Sequence, residues 1–541
     1  MTIAYVFSKI YSLDDGSRTY TTLVSTDGRI SALGGEEILK DYPEAKVVRL
    51  SGKTAYPGFF DSHLHVLEYG ITLGSCSVDD CEDSKDLITR LKDFIFKRKI
   101  APGQVVWARG FNENKFTDKV LPDRYLLDSI STDHPIILIR ACGHLAVANS
   151  AMLKKAGIEK GGPIPGGYID IDSKGIPNGI MREDALLMLD NAQDEFTAAE
   201  IKESILRAQA ALFSKGISAV CSDDITSLQD RKHYRLVMTA YKELAEEGKL
   251  KLRVFEQAQL PDVDSFNQFI KEGHHVLERI GNFTQVSFKI LQDGSLGAHT
   301  AYLREPYEDD GSNRGIFIYP KEKLEAMVMA AQKVNMPVAV HAIGDGALDM
   351  VLDAIEKARN ACPQFSPRHA VVHCQITDEA QIARFADLSV IAMIQPIFVA
   401  TDMLIAETLL GKKRVSTSYN WKRFLENGVH LSFGSDCPVE DANVPANIYC
   451  AVTRKSLAGE PEGGWLPDQC LTIGEALRCA TGEGAYASYA EDSLGSLEVG
   501  KYADMIVLDR DLYIIPSDEI KDVEIVSVII GGETVYSNFC H

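Results

Sequence analysis

Apolar and polar positions change texture along the chain. Residues 1 to about 56 carry short apolar runs (VFSKIYSL, TTLVST, ISALGG) separated by Asp14-Asp15-Gly16-Ser17 and Thr26-Asp27-Gly28. Both separators are turn chemistry, so short strands joined by tight turns are predicted. The stretch 491–541 repeats that texture in ADMIVLDRD, EIVSVIIG and ETVYSNF, with Gly531-Gly532 between the last two. Two strand-rich ends around a different middle predict a small β-sandwich domain formed by both chain termini, residues 1–56 and 491–541.

The middle, residues 57–490, alternates. Runs such as ISAVCSDD, KLRVFEQAQL, FTQVSFKILQDG, MPVAVHAIG, HAVVHCQI, SVIAMIQPI and VHLSFGSD are rich in β-branched residues. Between them lie helical patterns, AAEIKESILRAQAALFSKG, KEKLEAMVMAAQKV and GALDMVLDAIEKARN among them. Strand–helix alternation of this length predicts an α/β fold of parallel βαβ units, as an open doubly wound sheet or a closed (β/α)8 TIM barrel. No G-x-G-x-x-G follows an early strand and no G-x-x-x-x-G-K-[ST] occurs, which favours the barrel. Residues from about 74 to 190 do not fit a minimal barrel. Their polar, Gly- and Pro-rich sequence (KFTDKVLPDRY, EKGGPIPGGYIDIDSKGIPNG) reads as a long insertion after the first barrel strand.

Composition narrows the class. Against 77 Asp and Glu stand 56 Lys and Arg, a net charge of −21, which argues against nucleic-acid and anionic-membrane partners. No apolar run approaches the roughly 20 residues of a spanning helix, and the first residues lack the basic region of a signal peptide. The 11 cysteines are scattered without a C-x-x-C pair, as expected of reduced thiols in a cytoplasmic protein.

Several residues carry chemistry. His63 and His65 follow Pro57-Gly58 in Phe59-Phe60-Asp61-Ser62-His63-Leu64-His65; two residues apart on a strand they share a face and could ligate one metal. Val338-Ala339-Val340-His341 and Ala370-Val371-Val372-His373 each end an apolar strand in histidine, and Leu431-Ser432-Phe433-Gly434-Ser435-Asp436 ends another in aspartate. The C-terminal ends of barrel strands converge on one mouth, so these side chains form a ligand set for zinc or another first-row divalent ion. Lys289 lies inside the apolar strand Val286–Leu291, where an ammonium is costly unless paired or chemically changed. Two readings stand: an ion pair with Asp293 or Glu183, or conversion by carbon dioxide to a carbamate that bridges two metals. His274 and His275, in a polar loop, read as solvated, and Cys437 reads as a packed thiol rather than a nucleophile.

In their order, Pro57-Gly58-Phe59-Phe60-Asp61-Ser62-His63-Leu64-His65, Lys289, His341, His373 and Asp436 resemble the metal-dependent amidohydrolase superfamily. More narrowly, the sequence is similar to its N-substituted formamide deformylase-like branch. The resemblance runs nearly end to end through Arg140–Ser150, Pro177–Glu183, Phe288–Gly297, Gly434–Glu440 and Gly495–Asp504. It implies two zinc ions, with His63, His65 and Asp436 on the more buried ion, His341 and His373 on the second, and carboxylated Lys289 bridging them. The long stretch between His65 and Lys289 departs from a compact barrel of that superfamily.

The activity implied is hydrolysis of a linear C–N amide-type bond, in an N-substituted formamide or N-acyl amine, by a metal-activated water. Asp436 would act as general base and then acid, and His144 would hold the oxyanion or serve only as a hydrogen-bonding residue. Arg140, His144, Glu183 and Asp293 are candidate contacts to a small-molecule amide substrate, with metal ligation an alternative for Glu183. A cyclic-amide hydrolase or deaminase on the same residues, a mononuclear centre, and an inactive binding paralogue remain rivals. The resemblance also allows a homodimer.

Overall fold

The computed structural model describes the chain except residues 15, 17, 142–143, 165–166, 184, 191–195, 226–233 and 539–541. The turn expected at 14–17 therefore lies partly outside the described residues, as do Cys142 and Cys540. Two compact units emerge, Met1–Tyr69 with Ile201–His541, and Gly70–Glu200.

The larger unit contains eight parallel strands in barrel order: Phe59–Leu64, Ile217–Ser222, Arg253–Gln259, Phe283–Leu291, Val338–Ala342, Ala370–His373, Ile391–Ile394 and Leu431–Phe433. Each pairs in parallel with the next. Buried on both faces, such strands read as continuous apolar runs, and in Phe283–Leu291 every residue but the last is buried. Between the eighth strand and the first, the Asp436 amide donates to the His63 carbonyl (2.8 Å) and the Ser435 amide to the Asp61 carboxylate (3.1 Å). A side chain at Gly434 would place its Cβ 2.8 Å from the His63 nitrogen, so this close approach requires glycine.

Outer helices explain the period between strands. In Ala198–Ser214 the buried positions Ile201, Ile205, Ala208 and Leu212 form one stripe. Each large side chain there contributes roughly 1.5–3 kcal/mol on leaving water. Reciprocal caps fix other helix starts, Asp378 with Gln381 and Thr472 with Glu475.

Both chain ends meet in the small β-sandwich. Its hydrogen-bonded path runs Glu533–Ser537, Ile525–Ile530, Met505–Leu508, Lys46–Pro57, Thr2–Tyr11, Thr19–Thr26, Arg29–Gly34. The ends join where Met505–Leu508 pairs antiparallel with Lys46–Pro57, Ile506 opposite Tyr56. Ile3, Tyr5, Phe7, Leu23, Met505, Val507 and Ile529 fill the core. Arg253, the first residue of the third barrel strand, is buried against Asp504 (Nη2–Oδ1 2.9 Å) and ties barrel to sandwich.

The Gly70–Glu200 unit has a seven-stranded sheet of its own, from Gly162–Ile164 through Gly167–Ile171, Pro177–Glu183, Leu145–Ala148, Ile136–Arg140 and Val106–Phe111 to Cys76–Ser77. Alternate residues face two cores. Val106, Ala108, Ile136 and Leu138 pack with Leu87 and Leu91, whereas Ile137, Ala146 and Ala148 pack with Met152 and Leu153. Gly- and Pro-rich sequence that suggests loop thus forms antiparallel strands at one edge. The nine described cysteines are free thiols, and among the described residues no helix is long and apolar enough to cross a membrane.

Candidate metal centre

At the C-terminal ends of the barrel strands, His63, His373 and Asp436 each offer a ligand atom within 4.8 Å of the others, the one such group among the described residues. His63 and His65 both bring Nε2 to 3.2 Å from Asp436 Oδ1. Backbone bonds hold this arrangement: Asp436 donates to His63, and His65 donates to the Cys437 carbonyl (2.8 Å). Asp436 has φ +60°, a left-handed conformation outside the strand.

Second partners set the tautomers. His65 Nδ1 lies 2.8 Å from the Asp223 carbonyl, which can only accept, so Nδ1 carries the proton and Nε2 turns to Asp436. His373 Nδ1 lies 2.7 Å from Gln395 Oε1. Gln395 Nε2 donates to the Met393 carbonyl (3.3 Å), which orients the amide oxygen as acceptor and leaves His373 Nε2 a lone pair.

Burial pushes His63 down to about 3, with Lys289 adding to the effect, so its imidazole is neutral at physiological pH. His373 is likewise held well below its usual value by burial and by His341. Burial opposes charge on His65 too, but Asp436 and Asp223 raise it to about 9. Asp436 stays ionised: burial alone would raise its pKa, yet the His63 and His65 hydrogen bonds hold it well below the usual carboxylate range. Neutral His63 and His373 beside the ionised Asp436 carboxylate are a donor set that a divalent cation satisfies, and a cation at Asp436 would take the place of the second proton on His65.

Lys289 is 1% exposed, with Nζ 3.1 Å from His63 Nε2 and 3.8 Å from Asp223 Oδ2. Within the barrel its carboxylate neighbour is therefore Asp223 rather than Asp293, whose oxygens accept backbone amides. Burial lowers the Lys289 pKa against the pull of Asp223 and Asp436. The His341 ring stands 4.4 Å from that of His373, but its Nε2 is 3.0 Å from the Gly294 carbonyl and 3.4 Å from Asp293 Oδ1. It adjoins the three-atom group without belonging to it. Asp293 accepts the backbone amides of Ile343 (3.0 Å), Gly344 (2.8 Å) and Tyr302 (2.9 Å), so its oxygens hold loops together.

Arg140, His144 and Glu183 belong to the Gly70–Glu200 unit. Arg140 forks onto Glu113 (2.9 and 3.0 Å), and His144 Nδ1 meets Glu183 Oε2 at 2.9 Å on an exposed face. His274, expected to be solvated, is instead 12% exposed, packed on Phe269 (4.5 Å) and bonded to Glu278. Cys437 is buried, which raises its thiol pKa and suits a packed role.

Residues 46–536 match the amidohydrolase family. The chain belongs to that family. This amidohydrolase is 32% identical to the putative amidohydrolase YtcJ of Bacillus subtilis over 529 residues, 97% of each chain. It is 27% identical to an N-substituted formamide deformylase of Arthrobacter pascens, over 98% of this chain and 97% of that one. Among solved structures, an uncharacterized metal-dependent hydrolase from Pyrococcus horikoshii superposes with a TM-score of 0.79 at 29% identity, covering 96% of this chain and 99% of that one.

Sequence reasoning gave no role to several buried carboxylates of the barrel. Asp223 and Asp224 end the second barrel strand in ISAVCSDD, the same strand-end placement that singled out Asp436. Asp224 accepts from the Leu67 amide (2.8 Å), Ser222 Oγ (2.8 Å) and the Tyr241 hydroxyl, and burial raises its carboxyl to about 6. Glu256, buried in the third strand, accepts the Asp224 amide (3.3 Å) and is pushed well above its usual pKa by burial and the Asp224 charge. Asp61, raised to about 7 by burial, accepts the His63 and Ser435 amides and pins the barrel seam.

Proposed function

We propose that this amidohydrolase hydrolyses a linear C–N amide-type bond, in an N-substituted formamide or N-acyl amine, at a divalent-metal centre. The observation that carries the reading is the ionised Asp436 carboxylate with His63 and His65 Nε2 each 3.2 Å from one oxygen, beside neutral His373. The near full-length similarity to an N-substituted formamide deformylase supports the choice of bond.

In this reading His63, His65 and Asp436 would hold one divalent ion, His341 and His373 would hold a second, and Lys289 would serve both as a ligand. The buried Lys289 amine, whose pKa burial lowers, would combine with carbon dioxide and lose one proton, and the resulting carbamate would offer anionic oxygens where an ammonium would repel a cation. Bound divalent ions supply Lewis acidity, lowering the pKa of water and polarising a carbonyl. Asp436 Oδ1 lies against both imidazoles, leaving Oδ2 to take the proton of the attacking water. The hydroxyl adds to the acyl carbon, the C–N bond breaks, and Asp436 passes its proton to the departing nitrogen. The products are a carboxylic acid and an amine.

Elemental analysis of protein purified without chelators and supplied with bicarbonate, paired with turnover of N-alkylformamides and N-acyl amines, tests the reading. About two zinc-like ions per chain with turnover supports it in full. One ion with turnover keeps the hydrolysis and removes the bridging role of Lys289. No metal, and no turnover after metal is added, overturns it.

A further inference from the structure

The N-terminal ends of the barrel strands, opposite the metal centre, carry a concentration of positive charge that a protein of net charge −21 does not need for solubility. A groove of about 600 Å³ runs there between barrel and sandwich, lined by Lys251, Arg253, Arg279, Asn282, Tyr502 and Glu533. Its volume falls in the range of small-molecule clefts. Gly28, Gly281 and Gly531 also line it, so no side chain fills the space from those positions.

Tyr502 organises the cations. The Arg253 and Arg29 guanidinium carbons lie 3.9 and 4.3 Å from its ring centroid, and Arg279 Nη2 donates to its hydroxyl at 3.2 Å. Burial would raise the Tyr502 pKa, yet the Arg279 hydrogen bond and the charges of Arg279, Arg253 and Arg29 lower it, a sign of positive potential in the groove. Among the described residues two carboxylates answer these charges. Asp504 is spent on buried Arg253, and Glu533 stands 3.6 Å from Lys251. Among the described residues Arg279 donates to neutral oxygens, those of Gly281 (3.0 Å) and Tyr502. Its guanidinium and the half-exposed Lys251 ammonium are thus poised for an anion, which a guanidinium fork can grip through two oxygens.

We propose that this groove binds a small organic anion with two or more negative charges on phosphate- or carboxylate-type oxygens, held by Arg279 and Lys251 with Arg253, Arg29 and Tyr502 supporting them. The ligand is separate from the substrate of the metal centre, since the groove lies at the other end of the strands.

Isothermal titration of the full-length, metal-loaded protein with phenyl phosphate and with isophthalate, at ionic strength fixed by sodium chloride, tests this. One site per chain is expected, weakened about tenfold or more by Arg279→Glu and by Lys251→Glu, each of which removes one charge-assisted contact. Tighter phenyl phosphate identifies a phosphate ester as the ligand class, and tighter isophthalate a polycarboxylate. Both side chains are exposed, and an unchanged melting temperature verifies that each variant folds. No binding of either probe, or binding that both variants leave intact (an anion at the metal centre, or an adventitious one), overturns the proposal. Neither result depends on whether the enzyme cleaves formamides.

Discussion

His144 and Glu183 in the Gly70–Glu200 unit meet at 2.9 Å with side chains 72% and 59% exposed, whereas His63 and Asp436 in the barrel meet at 3.2 Å with 1% and 11% exposed. The contacts are nearly equal in length and alike in chemistry. Water separates their meaning. An exposed ion pair is screened to about 1 kcal/mol at 4 Å, whereas in the barrel burial keeps His63 neutral while its hydrogen bond to Asp436 keeps the carboxylate ionised. The barrel pair also cannot shed its desolvation cost except by neighbours that fix its protonation. Distance identifies a polar contact, and burial decides whether that contact can shift a pKa, hold an ion or anchor a fold.

The contrast can be pressed from its strongest end. Asp436→Asn keeps the side-chain shape and removes the proton acceptor, so kcat should fall about a thousandfold while elemental analysis finds metal retained. Wild-type turnover would mean that the buried carboxylate is not the base. Asp504→Ala leaves the Arg253 cation buried without its partner and should cost about 3–5 kcal/mol, read as an earlier denaturant midpoint.

A smaller effect is expected at Asp402, whose carboxyl burial raises to about 6 despite hydrogen bonds from Tyr419 (2.7 Å) and Gln375 (3.0 Å). A carboxyl with a raised folded-state pKa gives stability that is present below about pH 4 and lost as pH rises through about 6. Asp402→Asn should therefore gain up to about 3 kcal/mol on the wild type between pH 4 and 7 in melting curves. A constant difference across that range would show that Asp402 does not ionise uphill. Smallest is Glu183→Gln, expected to change stability by less than about 1 kcal/mol because both partners of its pair are exposed. A larger loss would mean that water does not screen the pair.

The barrel was legible because parallel strands buried on both faces leave apolar runs, and because strand ends bearing His63, His373 and Asp436 must converge once eight strands follow one another. The sandwich was legible from matched turn chemistry at both ends. Partner choice was not. Lys289 meets Asp223 because two non-adjacent strands stand in a certain register, and no local pattern encodes register between positions 66 residues apart in sequence. Gln395, which fixes the His373 tautomer, directly follows the next strand and is chemically unremarkable in SVIAMIQPI. Gly162–Ile164 and Gly167–Ile171 are strands of 3 and 5 residues, too short for a period to rise above their glycines and prolines. Carboxylates inside a strand, such as Glu256 in Arg253–Gln259, read as solvent-facing until the sheet is seen to close around them.

Tyr56 and Asp511 share a hydrogen bond across 455 positions of sequence. The strand Lys46–Pro57 leaves the ribosome early, while its neighbour Met505–Leu508 follows after nearly the whole barrel. At about 5–20 residues per second, that strand waits on the order of 20–90 s for its partner. During synthesis its outer edge is open to any extended segment nearby, so the nascent chain is exposed to mispairing and to chaperone capture until Met505–Leu508 arrives.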